Sequence, residues 1–161
     1  MTDGRRRGPT ESEFEASDDD LSAVTATMAE LTAAGRGWID ITVAGIDPPA
    51  PTSVWGRING RGPSSPRLTW TAPQTGKRRT EPAALGIEHP SGPKAIDRLA
   101  NAGHPLPPGW QRIQDHPMRG LVVQPPVDAP RHDVLAWGLG ALAILGAPDA
   151  HRWRVRILGQ G

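Results

Sequence analysis

Three of the five histidines in the chain precede a proline, at His89-Pro90, His104-Pro105 and His116-Pro117, and the last lies in the run Asp115-His116-Pro117-Met118-Arg119-Gly120. An aspartate beside a histidine can orient an imidazole for general-base work, and a nearby arginine can hold an anion. Asp115, His116 and Arg119 thus have the residue types of a small hydrolase or transferase. Catalysis of that kind also needs a positioned nucleophile, and no Gly-x-Ser-x-Gly elbow supplies one. Histidines can hold a metal, but spacings of 15 and 12 residues match no ligand pattern such as His-Glu-x-x-His. The competing explanation is conformational: a residue before proline is pushed into extended geometry, so each His-Pro pair marks a turn. No catalytic residue, metal or cofactor is therefore assigned, and DHPMRG is expected to be a hairpin turn. His132-Asp133 reads likewise as a helix start, where an aspartate suits the positive end of the dipole.

Glycine-rich stretches give a second set of candidates. Gly138-Leu139-Gly140-Ala141-Leu142-Ala143 fits a loose dinucleotide fingerprint, which requires a strand before it and a turn at the glycines. Here the run falls inside an apolar helical pattern, so close packing of that helix on a sheet is expected instead. Thr75-Gly76-Lys77-Arg78 has the Gly-Lys of a phosphate loop without the upstream glycine, and Asn59 to Arg67 could offer Arg61 or Arg67 to a phosphate but also serves as a strand connection.

Basic and aromatic residues give the third. Arg152, Arg154 and Arg156 alternate along the last strand-like segment, and Lys77, Arg78 and Arg79 cluster in a loop. Brought together near Trp38 or Trp55, they would make a groove for single-stranded nucleic acid. The same arginines would also protect a terminal edge strand from pairing with another chain. Trp55, Arg57 and Asn59 share the strand face opposite Val54 and Ile58, and Trp and Arg dominate binding hot spots. That face is a candidate protein-binding surface, or a second layer of core.

The 161 residues suit one domain. Hydrophobic residues make up 37% of the chain, with one Phe, no Tyr and six Trp, so the core must be largely aliphatic. The absence of cysteine excludes disulfides, thiolate metal sites and thiol catalysis. No apolar run reaches the ~20 residues of a membrane span or resembles a signal peptide, so no membrane partner and a cytoplasmic location are expected. Arginine outnumbers lysine, and Ala, Gly and Pro are abundant, as in a GC-rich, actinobacterial-like bacterial composition. Residues 1–20 carry three arginines against seven acids, net −4, whereas the remainder carries 15 basic and 10 acidic residues, net +5. A moderately basic body admits an acidic protein or a nucleic acid as partner.

Residues 1–16, polar and aperiodic, are expected to be a disordered charged tail, and 17–161 a single domain. A first helix is expected from a cap at Ser17 with Asp20, through Leu21, Val24, Met28 and Leu31, to Gly35. Alternation predicts strands over 37–44, 53–59 and 67–71. Residues 73–90 carry weak patterns, among them an exposed basic loop and the unassigned apolar run AALGI. Ser91-Gly92-Pro93 opens a second helix that Gly103 closes. Strands over 109–114 and 120–124 flank DHPMRG, Asp128 caps a third and most buried helix over 134–145, and 152–158 is the last strand. The order α-β-β-β-α-β-β-α-β predicts an α+β fold: a mainly antiparallel twisted sheet of about five to six strands with two to three helices on one face.

That element order, though no motif, resembles the secretion-chaperone-like architecture, in which an exposed surface holds a client protein. The resemblance implies a non-enzymatic binding or adaptor protein with a protein partner. The alternatives are a nucleic-acid-binding domain using Arg152, Arg154, Arg156 and the Lys77-Arg78-Arg79 loop, and the small hydrolase or transferase described above. The oligomeric state, and whether the acidic tail competes with a partner for the basic body, stay open at this level.

Overall fold

A computed structural model describes residues 10–45, 66–75 and 80–159. In chain order the elements are β1 (Thr10–Ser17), α1 (Ser22–Ala34), β2 (Trp38–Val43), β3 (Arg67–Thr71), β4 (Gln74–Thr75), β5 (Thr80–Glu81), β6 (Ala84–Glu88), α2 (Ala95–Asn101), β7 (Gln111–His116), β8 (Gly120–Gln124), α3 (Arg131–Gly146) and β9 (Arg152–Gly159). The fold is α+β. Among the described residues, seven strands form one antiparallel sheet in the order β1-β9-β2-β3-β6-β8-β7, and β4 and β5 pair separately.

Register aligns the apolar residues into one face. Val155 lies opposite Ile41, Ile41 opposite Leu68, Leu68 opposite Ile87, and Ile87 opposite Leu121. A parallel row runs from Ile157 through Ile39, Trp70 and Leu85 to Val123. Because alternate side chains leave a strand on opposite sides, these rows meet α1, α2 and α3 in a single core. The third helix packs on β3 and β6, with α1 and α2 beside it. It is the most buried of the three described helices: Val134, Leu135, Trp137, Leu139, Ala141, Leu142 and Leu145 are all withdrawn from solvent.

Several expectations need correcting. Residues 10–16, read as part of a disordered tail, belong to an edge strand, Thr10–Ser17, paired along its whole length with β9. Composition misled because the stabilising partners are arginines at the other end of the chain. In consequence β9 is not a sheet edge but an interior strand between β1 and β2. The run AALGI, left unassigned by its pattern, falls largely within the interior strand β6, whose Leu85 and Ile87 point into the core. The first helix starts at Ser22 rather than Ser17: Ser17 bridges to Asp20, and the Asp20 carboxylate accepts hydrogen bonds from the Ser22 N–H at 3.1 Å and its hydroxyl at 2.6 Å. Asp128 does not cap α3, which begins after Pro130. The strand expected at 53–59 lies outside the described residues.

Candidate functional site

Asp115, His116 and Arg119 occupy the β7–β8 hairpin, as the turn reading expected. The Asp115 carboxylate reaches back to the start of α2, where its two oxygens accept the Ala95 and Ile96 N–H groups, each at 3.1 Å. A helix start leaves such donors unsatisfied, so a carboxylate there stabilises both hydrogen bonds and dipole. His116 is exposed, and its Nδ1 accepts the Met118 and Arg119 N–H groups at 3.1 and 3.2 Å within the turn. Arg119 is exposed too. The carboxylate that would orient the imidazole thus holds a helix, and the imidazole nitrogen closes a turn.

The other two His-Pro pairs are also structural. His104 stacks on Trp137, with centroids 5.4 Å apart, and its Nε2–H donates to the Trp137 carbonyl at 2.8 Å. Trp137 in turn donates from Nε1 to the Pro105 carbonyl at 3.0 Å, and Trp110 leans on the same ring. The loop after α2 is thereby fastened to α3. This explains the paired glycines of the loose fingerprint: a Cβ on Gly138 would lie 3.1 Å from Leu68, and one on Gly140 would lie 2.8 Å from the His104 ring. Among the described residues, no cluster of three or more His, Asp or Glu side chains could hold a metal ion.

His89 is the one buried polar or charged residue in the described core. Its Nδ1 lies 2.8 Å from the Ser91 hydroxyl and accepts the Ser91 N–H at 3.3 Å, so in the neutral ring Nε2 carries the proton. That Nε2 is buried without a partner among the described residues. Burial, and then the nearby Arg98 guanidinium, push the His89 pKa below its ordinary value of 6.5, against the opposing pull of Asp115. The unfolded chain therefore takes up a proton that the folded chain refuses. Stability from this group is complete above about pH 6.5 and is lost as pH falls toward the depressed folded pKa. Melting temperatures measured from about pH 8 down to about pH 4 should fall less steeply for His89→Asn, whose amide oxygen can still accept the Ser91 N–H. An unchanged slope would refute the assignment.

The side of the sheet opposite the core is built from charged and polar ladders. On β9, Arg152 pairs with Glu15 at 2.9 Å, Arg154 with Glu13 at 3.2 Å, and Arg156 with Glu11. The Glu11 hydrogen bond also raises the Arg156 pKa. Across β2, Asp40 stands opposite Arg156 and accepts the Thr69 hydroxyl at 2.7 Å, while Arg67 meets Glu88 across β3 and β6 at 2.8 Å. Trp38 and Thr42 share this side and are half-buried. No helix among the described residues packs on it.

The sequence candidates Arg152, Arg154 and Arg156 are thus brought into one row. Trp55, Arg57, Asn59, Lys77, Arg78 and Arg79 lie outside the described residues, as does Arg61. What sequence reasoning missed is the glutamate row of β1 and the Asp40–Thr69 and Arg67–Glu88 pairs beside it. The signal was present in the Glu-x-Glu-x-Glu alternation at Glu11, Glu13 and Glu15, which matches the alternation of the arginines. No helix among the described residues is long and apolar enough to cross a membrane. No protein-family model, curated protein or solved structure matches the chain.

Proposed function

We propose that the protein is a non-enzymatic adaptor that engages a protein partner through the side of its sheet that no described helix covers. The observation that carries this reading is the band of half-buried Trp38, Asp40, Arg154 and Arg156 on a side that no described helix covers. Arginine and tryptophan bind protein surfaces well because each combines a large apolar or planar area with polar donors. The geometry gives less support to the two other readings. Each β9 arginine already faces a glutamate, which occupies the position a phosphate would take, and the Asp115 and His116 acceptor atoms are held by backbone amides.

The test is a photo-crosslinking side chain placed at Thr42, which lies opposite Arg154 on this side. The full chain, introduced into the cells it comes from, should yield a discrete polypeptide adduct from Thr42 and none from the exposed Ile144 of α3. An adduct-free Thr42, or equal labelling from both positions, would reject the adaptor reading.

A further inference from the structure

The edge strand β1 is held differently from the rest of the sheet. Among the described residues it pairs only with β9, over eight residues from Thr10 opposite Gly159 to Ser17 opposite Arg152. Among its described side chains Phe14 and Ala16 pack against the core, and both are only partly buried. Its glutamates make ion pairs with the β9 arginines and are 49–53% exposed. Exposed pairs of this kind stabilise by about 0–1 kcal/mol each and weaken as salt screens them.

The strand β9 is anchored independently of β1. Trp153 and Val155 are buried, and β2 pairs with β9 along its other edge. Removal of β1 would leave a formed strand with free backbone donors and acceptors. It would carry arginines at alternate positions on one side and an apolar trough, vacated by Phe14 and Ala16, on the other. Such an edge selects its ligand twice, by backbone pairing and by alternate side chains.

We propose that the outer edge of β9 is a strand-addition site for an extended acidic segment of the partner protein, with glutamate or aspartate at alternate positions and apolar residues between them. The strand β1, reading Glu11-Ser12-Glu13-Phe14-Glu15-Ala16, is the in-chain competitor for that edge. The Asp18–Asp20 turn is the pivot, fixed by the 2.6 Å hydrogen bond from Trp153 Nε1 to Asp18 and by the Asp18 N–H to the His151 carbonyl. This inference deepens the adaptor reading and rests on it, because it names the class of partner.

The experiment compares the full chain with its E11K/E13K/E15K variant, using a fluorescent synthetic peptide of sequence TESEFEASDDD as probe. An intramolecular competitor acts at an effective concentration near the millimolar range, so weakening it should tighten peptide binding at least about tenfold. Binding should fail when the peptide glutamates are lysines and should fade toward about 1 M salt. A folded variant that does not bind the peptide, or binds it regardless of peptide charge, overturns the proposal. Should the variant not fold, hydrogen exchange of the unaltered chain decides: β1 amides should exchange well ahead of those of β2, β3 and β6, with a gap that widens in salt. Exchange of β1 together with those strands overturns it equally. A Thr42 crosslink that excess peptide leaves unchanged defeats strand addition while the adaptor reading stands; peptide binding with no crosslinked partner defeats the adaptor reading instead.

Discussion

Gly120→Ala should cost about 3–5 kcal/mol of stability in chemical denaturation, or leave too little folded protein to measure. Two effects add at this residue. Its φ of +83° lies in the left-handed region, which a side chain tolerates poorly. A Cβ there would also press on the backbone of Ile87 across the β6–β8 pairing, 3.1 Å from the carbonyl carbon and closer still to the oxygen. The obstacle is sheet backbone, which cannot swing away as a side-chain end can. Gly103→Ala separates the two effects, since Gly103 has φ +80° and open space around its Cβ position. It should cost only about 1 kcal/mol. His116→Ala, four residues before Gly120, removes an exposed acceptor and should cost at most about 1 kcal/mol while leaving partner crosslinking intact. A His116→Ala protein that folds yet loses a measured activity would reopen the catalytic reading of Asp115, His116 and Arg119.

These neighbours illustrate which parts of the molecule were legible in the sequence. The hairpin turn was, because proline and glycine restrict the backbone locally, whatever surrounds them. So was α3, whose length and apolar content leave a buried helix as the consistent choice, and so were the alternating strands β2, β3 and β9. What escaped depends on residues far apart in the chain. The α2 start is held by Asp115, some 20 residues downstream of Ala95, so no capping pattern within α2 could reveal it. The glutamates of β1 find their arginines up to 145 residues away, and without them TESEFEAS looks like a solvated tail. Leu85 and Ile87 of β6 obey the period of two, but Gly86 between them and the short run hid the strand. The candidate surface suffered the same fate: three of its arginines were visible, whereas their placement in the sheet interior followed from β1, which was not.

Trp153→Ala should be the most damaging core truncation on the β9 side, at about 3–5 kcal/mol by chemical denaturation. The ring is 1% exposed, the largest of the fully buried side chains, and sits between Ala16 of β1 and Val43 of β2. Removing it opens a void under both strand pairings at once, and a close-packed core refills such a void only in part. Trp153→Phe resolves the hydrogen bond from the packing. The smaller ring retains much of the apolar contact but cannot donate to Asp18, whose partly exposed carboxylate can turn to water instead. That substitution should cost about 1–2 kcal/mol, mostly as lost volume. Asp18→Ala is the complementary cut, and it leaves the buried indole N–H without its acceptor, at about 1–3 kcal/mol. If the pivot works as inferred, Asp18→Ala should also raise hydrogen exchange in β1 more than in β2, because it loosens the turn that returns β1 to β9. Equal acceleration in both strands would mean that Asp18 supports the core as a whole and that β1 has no separate hinge.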